Sequence, residues 1–310
     1  FNKNESTCIS RFSVKFFYLI FGFSEEKMDK RLLTIQDISC VGQCSLTVAL
    51  PVISACGIET AVLPSSVLSN HTANGFSGWT FRDLTGDMPE ILERWQKEKI
   101  DFSAFYTGYV TKTQIPHILE IMEKTARLGA IRIVDPVMAD NGALYPGFDS
   151  GFPSEMAKLC KNADYILPNI TEAALLLGRK YPGDNMDGDD YDKAYIENLL
   201  KDLHGLGAKN IVLTGVSLEK GRLGAAVYDG KRADYYFTER LPASCHGTGD
   251  AFASAFAGAV LNGKNLLEAA SVAADFVVES MKATLGDKEH WYGVKFEKAL
   301  PYLIKRLGLF

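Results

Sequence analysis

The chain has 310 residues, which is enough for two small domains or one large α/β domain. Apolar residues make up 47% and charged residues 23% of the sequence, with a mean hydropathy near zero, and these values disfavour a disordered chain, collagen and a coiled coil. The 33 basic and 38 acidic side chains give a net charge of −5, which argues against a nucleic-acid backbone as the main partner.

The first residues contain an apolar run at 14–23 that is interrupted by Lys15. This run is about ten residues long, whereas a membrane-spanning helix needs roughly 17–25. Met28 immediately precedes the first strand-like segment, so residues 1–27 are predicted to be a leader or a non-native extension, with a targeting role as the alternative. No other segment reaches spanning length, and no membrane partner is expected.

From residue 31 onward, short β-rich apolar runs alternate with segments of helical period. This alternation is typical of βαβ units, in which helices cover both faces of a mainly parallel sheet. The predicted strands are 31–36, 59–63, 103–107, 131–134, 164–167 and 210–214. The predicted helices are 45–56, 88–99, 112–128, 153–161, 171–178, 189–206, 248–262, 265–283 and 294–306.

An Asp-Gly pair at 229–230 separates two apolar runs and predicts an antiparallel hairpin late in the chain. The sequence contains no Pro/Ser-rich linker and no repeat of fixed period. Residues 28–310 are therefore predicted to form a single α/β domain.

Two carboxylates, Asp135 and Asp140, follow the predicted strand at 131–134. Such a position is the carboxyl edge of a parallel sheet, where α/β proteins hold their ligands. A role in the turn alone is the alternative for either residue.

Asn169 and Glu172 follow the next predicted strand and stand three residues apart. This is the spacing of a capping box, in which the two side chains satisfy amides at a helix start. A carboxylate beside a magnesium ion and its waters, with phosphates completing the shell, is equally compatible. The spacing alone leaves both interpretations open.

The segment Gly-Thr-Gly-Asp at 247–250 opens an alanine-rich helical run. The first amides of a helix have no partner within the helix, so such a terminus can bind an anion. Asp250 in the first turn would then lie close enough to accept a proton from an attacking hydroxyl. Simple complementation of the helix dipole by Asp250 is the alternative.

Several common motifs are absent from the sequence. It has no GxxxxGK[ST] loop, no GxGxxG after a strand, no GxSxG elbow and no HExxH, so a bound nucleotide would need another phosphate site. The six cysteines and five histidines show no paired metal-ligand spacing, and a zinc site is not expected. Sparse cysteines are typical of a reducing compartment, and a cytoplasmic location is predicted.

Taken together and in their order along the chain, these segments resemble the pyridoxal kinase branch of the ribokinase-like kinases. The resemblance covers nearly everything after Met28. Gly-Thr-Gly-Asp is shared across that superfamily, whereas Ser-Asn-His-Thr at 69–72 followed by Thr-Gly-Tyr at 107–109 is more particular to vitamin B6 kinases. The other matching segments are 34–36, 135–140, 144–146 and 168–172.

The resemblance implies a three-layer α/β/α fold and transfer of the ATP γ-phosphoryl group to the 5′-hydroxymethyl of pyridoxal, pyridoxine or pyridoxamine. Asp250 would be the catalytic base and also contact the substrate. The anion hole would consist of the amides of Gly247, Thr248 and Gly249. The magnesium ion and the phosphates would be bound by Asp135, Asp140, Asn169 and Glu172. Of these, Asp135 and Glu172 are the expected metal ligands. The remaining expected contacts are Tyr145 and Thr214 near the nucleotide, with Thr72 and Tyr109 in the pyridine pocket.

The same resemblance implies Mg²⁺, a response to a monovalent cation such as K⁺, and a homodimer. A hydroxymethylpyrimidine kinase or a dual-specificity enzyme is the nearest alternative, since it shares the Gly-Thr-Gly-Asp and Asn-x-x-Glu elements. A sugar kinase is disfavoured because the short span at 41–60 leaves little room for an inserted β lid. The alternative of another class is a catalytically silent protein that binds a B6 vitamer.

Asp37 departs from the family pattern. Many pyridoxal kinases have Ser after the Ile-Gln of the first strand, but here Asp37 follows Gln36. A serine hydroxyl donates or accepts a hydrogen bond, whereas an ionised carboxylate only accepts. We hypothesise that Asp37 binds a protonated ring nitrogen or another donor of the substrate. The alternative is that Asp37 begins a turn and faces water.

The hypothesis predicts that Asp37→Ser changes the preference among vitamers, because the three vitamers differ in the donors they offer. The measurement is kcat/KM of wild type and variant with pyridoxal, pyridoxine and pyridoxamine. Parallel profiles for the two proteins would remove this role for Asp37.

Overall fold

The computed structural model describes residues 30–72, 75–183 and 192–310. The predicted leader at 1–27 lies outside the described residues. Residues Arg31–Phe310 cluster as one unit, which is described below.

The centre of this unit is a nine-stranded sheet with the order β11-β10-β9-β8-β5-β4-β1-β2-β3. The six strands from β9 to β2 in that order run parallel to their neighbours. Antiparallel pairing is confined to β3 at one edge and to β10 and β11 at the other. The nine strands are β1 (Arg31–Ser39), β2 (Glu59–Leu68), β3 (Phe81–Asp83), β4 (Phe102–Thr107), β5 (Ala126–Val134), β8 (Tyr165–Ile166), β9 (Asn210–Val216), β10 (Arg222–Tyr228) and β11 (Ala233–Glu239). A separate two-stranded ribbon pairs β6 (Ala139–Asp140) with β7 (Ala143–Leu144).

Helices cover both faces of the sheet, and each face has its own apolar core. The helices on one face are α1 (Leu46–Ala55), α7 (Thr248–Leu261), α8 (Leu266–Thr284) and α9 (Phe296–Leu307). Those on the other face are α2 (Met88–Lys97), α3 (Ile115–Thr125), α4 (Phe152–Cys160), α5 (Ile170–Leu176) and α6 (Lys193–Gly205). The predicted α/β class, the mainly parallel sheet and the late hairpin are confirmed. Within the described part of the chain, no helix combines the length and apolar character needed to cross a membrane.

Helix α7 is the most deeply buried helix of the first face. All its residues from Ala251 to Leu261 are buried, in agreement with their small or apolar side chains. A Cβ atom at Gly258 would lie 2.3 Å from Cys56 Sγ, so glycine allows α7 to approach the end of α1 closely. This close packing holds the first turn of α7 in a fixed place relative to the sheet.

Three short features differ from the sequence-based expectation. The helix predicted to reach residue 128 ends at Thr125, because Ala126 pairs with Phe102 as the start of β5. Strand β3 was not predicted, since three exposed residues carry no alternation of apolar and polar side chains. The ribbon β6–β7 turns at Asn141 and Gly142, both with positive φ, so its Asn-Gly pair was a hairpin signal present in the sequence.

The packing of α7 predicts a large loss of stability for Phe256→Ala. The Phe256 ring is fully buried and meets the Tyr165 ring edge-on at 5.4 Å, so truncation leaves a cavity between helix and sheet. We expect the free energy of unfolding to fall by about 3–5 kcal/mol in urea titrations. The matched control, Phe310→Ala, removes a ring that is 98% exposed. It should change the free energy of unfolding by less than about 0.5 kcal/mol. Equal effects of the two variants would contradict this description of the core.

Candidate active site

The parallel strands bring the sequence-predicted residues to one edge of the sheet. Asp37 lies in β1, Tyr109 follows β4, Asp135 follows β5, Asn169 follows β8 and Thr214 lies in β9. Because β1, β4, β5, β8 and β9 are parallel, their carboxyl ends share that edge. Strand order reverses between β1 and β4, and ligands of open α/β sheets bind at such switch points.

The start of α7 meets this edge through a close approach of two backbones. Gly247 precedes the helix in the left-handed conformation, with φ of 77°. A Cβ atom there would lie 1.7 Å from the carbonyl oxygen of Gln43, a distance that no other residue type tolerates. The helix therefore begins against the loop that leads into α1, with the first-turn amides at Thr248 and Gly249 lacking partners within the helix.

Asp250 lies in this first turn and is only partly exposed. Burial raises the pKa of Asp250 to about 7, and the negative charge of Asp37 adds to the rise. The nearby backbone N–H of Ser45 favours the ionised form and opposes the shift. A carboxyl group with such a pKa can both accept and release a proton near neutral pH.

Asp37 is 5% exposed, so the alternative that it faces water is wrong. It lies inside β1 rather than in a turn. The Ser39 hydroxyl donates to Asp37 Oδ2 at 3.0 Å. Burial raises the pKa of Asp37, while the nearby hydroxyls of Ser45 and Ser39 favour the ionised form.

Tyr109 lies beside Asp37. Its backbone carbonyl accepts a hydrogen bond from Ser65 Oγ at 2.9 Å, and its ring centre is 5.2 Å from that of Phe148. Burial raises the pKa of Tyr109 to about 12, with further contributions from the charges of Asp37 and Asp83. The structure thus brings together two of the residues expected around the pyridine ring.

Thr72 is exposed, and residues 73 and 74 beside it are not described. Among the described residues, no hydrogen bond joins Thr72 to Asp37 or Tyr109. The neighbouring His71 is buried and has two contacts with residues distant in sequence. Its Nε2 lies 2.9 Å from the carbonyl oxygen of Tyr292, and its ring centre is 5.3 Å from that of His246. His71 therefore links the segment at 69–72 to the residue preceding Gly247.

The Asn169 and Glu172 pair forms a capping box at the start of α5, as one of the two interpretations predicted. Asn169 Oδ1 accepts from the Glu172 amide at 2.9 Å, and Glu172 Oε2 accepts from the Asn169 amide at 2.9 Å. Glu172 Oε1 accepts a further amide hydrogen bond from Met138 at 3.0 Å. Asn169 Nδ2 donates to the carbonyl of Ala139 at 2.9 Å. The capping box therefore fastens α5 to the segment after β5.

Asp135 and Glu172 form the acidic centre of this edge. Both are buried, at 7% and 4% exposure. Burial raises the pKa of each, and the charges of Glu172 and Asp250 raise that of Asp135 further. Each carboxylate disfavours the ionised form of the other. The positive charge of a divalent cation would favour both ionised forms and would lower the raised pKa values.

Asp135 and Glu172 are the two buried carboxylates of this acidic centre. Among residues 30–72, 75–183 and 192–310, no group of three or more Asp, Glu, His or Cys side chains is arranged to hold a metal ion. Magnesium is usually bound by one or two carboxylates, with water and substrate phosphates completing its shell. Asp135 and Glu172 match that requirement.

Asp140, Tyr145 and Thr214 surround the acidic centre. Asp140 is exposed in the β6–β7 ribbon, and its charge raises the pKa of both Glu172 and Tyr145. The Tyr145 amide donates to the Met138 carbonyl at 2.8 Å, which holds the residue beside the ribbon. The Thr214 amide donates to the Pro168 carbonyl at 2.9 Å, adjacent to Asn169.

Two residues of this region were missed by the sequence reasoning. Ser39 was detectable, because side chains two residues apart on a strand share a face and Ser39 follows Asp37 by two. Tyr106 is fully buried in β4, where burial raises the pKa of its hydroxyl and the charges of Asp135 and Asp250 raise it further.

Comparison with known proteins gives a family for this arrangement. Residues 93–294, more than half of the chain, match the family described as phosphomethylpyrimidine kinase. A phosphomethylpyrimidine kinase homologue from Bacteroides thetaiotaomicron, determined with pyridoxal, is 33% identical and superposes with a TM-score of 0.81. The match covers 89% of this chain and 96% of that one.

Two pyridoxal kinases are also similar. The structure of the Lactobacillus plantarum enzyme is 31% identical, has a TM-score of 0.80, and covers 89% of this chain and 97% of its own. The Dictyostelium discoideum enzyme is 31% identical over 201 residues, which are 61% of this chain and 61% of that relative's length. The resemblance seen in the sequence is confirmed: the chain belongs to the phosphomethylpyrimidine kinase family and shares the ribokinase-like fold of pyridoxal kinases.

Proposed function

We propose that this protein transfers the γ-phosphoryl group of ATP to the 5′-hydroxymethyl group of pyridoxal, pyridoxine or pyridoxamine. The observation that carries the proposal is Asp250, a carboxyl group with a pKa near 7 in the first turn of α7, next to unpartnered helix amides. A base and an anion site in one helical turn are the two elements that phosphoryl transfer to an alcohol needs.

In the proposed reaction, the Asp250 carboxylate accepts the proton of the 5′-hydroxyl while the hydroxyl oxygen attacks the γ-phosphorus. A new oxygen–phosphorus bond forms, the bond to the β,γ-bridging oxygen breaks, and ADP leaves with that electron pair. The amides of Gly247, Thr248 and Gly249 donate hydrogen bonds to the negatively charged phosphoryl oxygens.

Asp135 and Glu172 would hold Mg²⁺, directly or through water. When bound, the cation supplies charge neutralisation of the phosphates. Asp140 and Asn169 would contact the metal's waters or the phosphates, while Tyr145 and Thr214 would line the nucleotide site. A monovalent cation such as K⁺, a homodimeric assembly and a cytoplasmic location belong to the same proposal.

Asp37, Tyr109 and Thr72 would line the vitamer pocket. The electrostatic influence of Asp37 on the pKa of Tyr109 supports this placement, because it indicates that the acceptor and the aromatic ring are near one another. The similar proteins from D. discoideum and L. plantarum are named pyridoxal kinases, and the B. thetaiotaomicron structure was determined with pyridoxal. These names favour a B6 vitamer as the acceptor.

Hydroxymethylpyrimidine is the second candidate acceptor, favoured by the description of the matched family. A single assay separates the candidates: ATP turnover with Mg²⁺ against pyridoxal, pyridoxine, pyridoxamine and hydroxymethylpyrimidine. We expect the highest kcat/KM with a B6 vitamer. Preference for hydroxymethylpyrimidine would overturn the substrate assignment. Tight binding of pyridoxal 5′-phosphate without consumption of ATP would indicate a silent binding protein.

For Asp250→Asn, we expect kcat to fall by at least about 100-fold while nucleotide affinity changes little. The amide keeps the shape of the side chain but cannot accept the hydroxyl proton, and a general base contributes roughly 10²–10⁴ in rate. The measurements are kcat with the preferred vitamer and equilibrium binding of ADP.

The matched control is Asp101→Asn, an exposed aspartate that pairs with Arg127 and precedes the amino end of β4, at the opposite edge of the sheet from the site. It should retain turnover. Near-wild-type kcat in Asp250→Asn would exclude Asp250 as the base.

The pKa of Asp250 also predicts the pH dependence of the reaction. Only the ionised carboxylate can accept a proton, so a raised pKa moves the loss of activity on acidification from about pH 4 to about pH 7. With both substrates well below saturation, we expect the rate to be level above pH 7 and to fall about tenfold per unit below it. Asp37→Asn removes a neighbouring negative charge that raises the pKa of Asp250. The fall in rate on acidification should therefore begin at a lower pH in this variant. A wild-type profile that is level from pH 5 to 8 would contradict the assignment.

A further inference from the structure

Residues Tyr145 to Phe148 form a tight turn directly after the β6–β7 ribbon. The Phe148 amide donates to the Tyr145 carbonyl at 3.3 Å, and Gly147 between them has φ of 94°. Proline at the second position and glycine at the third are the pattern of a type II turn, in which the third residue needs positive φ. The sequence Tyr-Pro-Gly-Phe therefore fixes the spacing between Tyr145 and Phe148.

This turn connects the acidic centre with the surroundings of Tyr109. At its first end, the Tyr145 amide donates to the Met138 carbonyl at 2.8 Å, and the Met138 amide donates to Glu172 Oε1 at 3.0 Å. At its last end, the Phe148 ring centre lies 5.2 Å from that of Tyr109, with the ring planes tilted by 35°. One short turn thus joins two halves of the candidate site.

Phe148 differs from its neighbours in burial. It is half-buried, whereas Leu144 before the turn is its nearest neighbour that is not exposed, and the other residues of 145–150 are exposed. The Phe148 ring stacks on Phe152, with 3.9 Å between ring centres and 17° between ring planes. Phe152 is the first residue of α4 and is 1% exposed, so the core holds it in place. Phe148 therefore lies between a fixed ring and the ring of Tyr109.

The backbone and the side chain of Tyr109 are held by different contacts. Ser65 Oγ donates to the Tyr109 carbonyl at 2.9 Å, and Gln114 Nε2 donates to the Ser65 carbonyl at 2.7 Å. Ser65 and Gln114 are fully buried, so the backbone of Tyr109 has little freedom. In the described part of the chain, no hydrogen bond holds the Tyr109 hydroxyl. The orientation of the ring therefore depends on packing, to which Phe148 contributes an aromatic contact.

The same rings border a cavity of about 180 Å³. Its walls include Tyr109, Phe148 and Phe152, together with Thr111 and Asp149. Because this space adjoins the rings, removal of the Phe148 side chain would enlarge it and give the Tyr109 ring room to rotate. Phe148 thus restrains Tyr109 at a place where close packing does not surround the ring on every side.

We infer that Phe148 is a positioning residue of the acceptor site, because it holds the Tyr109 ring in the orientation that contacts the pyridine ring of the vitamer. The inference rests on the proposed function, in which Tyr109 lines the vitamer pocket. Phe148 acts through Tyr109 rather than on a reacting atom. Its loss therefore weakens acceptor binding and leaves the chemical step nearly unchanged.

The test compares wild type with Phe148→Ala, Tyr109→Ala and the double variant. Phe148→Leu keeps apolar bulk over Phe152 but lacks the ring, so it tests the same point if the alanine variant folds poorly. Phe148→Tyr keeps the ring. Trp95→Ala is the matched control, because Trp95 is also half-buried and meets another aromatic ring, that of Phe102, at 5.3 Å. Phe102 begins β4, at the opposite edge of the sheet from the site.

The measurements are kcat, the vitamer KM at saturating MgATP, the KM for ATP at saturating vitamer, and the melting temperature. We expect Phe148→Ala and Phe148→Leu to raise the vitamer KM by roughly 3- to 10-fold, the range for losing one aromatic contact. Their kcat and KM for ATP should change by less than about 2-fold. Phe148→Tyr and Trp95→Ala should retain the wild-type vitamer KM.

The double variant tests whether Phe148 acts through Tyr109. In the Tyr109→Ala background, Phe148→Ala should cause no further rise in the vitamer KM, since the ring that it positions is already absent. An additional rise of the size seen in the single variant would overturn the inference.

The wild-type arm tests the proposed function separately, because a wild type that phosphorylates no vitamer overturns that function before any variant is compared. With an active wild type, an unchanged vitamer KM in Phe148→Ala and Phe148→Leu overturns the role of Phe148. Equal rises in the KM for vitamer and for ATP also overturn it, since they indicate general loosening of the turn. A purely structural role would lower the melting temperature, as in Trp95→Ala, and leave the vitamer KM unaffected.

Discussion

The arrangement of this site depends on the burial of negative charge at one end of a parallel sheet. Asp37, Asp135 and Glu172 are each less than a tenth exposed, and Asp250 lies among them. Burying an ionised carboxylate is costly unless hydrogen bonds or an opposite charge compensate. The compensation visible here comes from neutral donors: two amides for Glu172 and the Ser39 hydroxyl for Asp37. Such donors only partly offset the cost, which is why the carboxyl pKa values are raised.

A rigid scaffold is needed to hold like charges this close together. The parallel strands bring Asp37 and Asp135 to the same edge, and the capping box locks Glu172 to the segment that follows β5. The contact of Gly247 with the Gln43 carbonyl then sets α7 against the end of β1 and the loop before α1. Mutual repulsion would separate carboxyl groups on flexible loops, whereas here each lies on, or directly after, a strand or helix that packs into one of the two cores.

The layered fold, and the meeting of the candidate residues at one sheet edge, followed from sequence patterns for physical reasons. Period-2 and period-3.6 patterns report which faces are buried, and motifs directly after parallel strands must meet at one edge. The close approach of Gly247 to the Gln43 carbonyl was beyond such reasoning, because a contact between two backbone segments that are distant in sequence leaves no sequence pattern. The capping box could not be distinguished from a metal ligand pair because one spacing serves both, and Glu172 has lone pairs left for a second role after accepting two amides.

The net charge of −5 and the proposed phosphate chemistry are compatible because phosphate binding at this edge is local. A protein that binds a long polyanion needs many basic side chains, and its affinity grows with their number. A single triphosphate needs only a few directed donors, which under the proposed function would be the first-turn amides of α7 at Thr248 and Gly249. Buried carboxylates such as Asp135 would contribute indirectly, by holding the divalent cation that accompanies the phosphates. Under that proposal, acidic residues are part of an anion site rather than evidence against one.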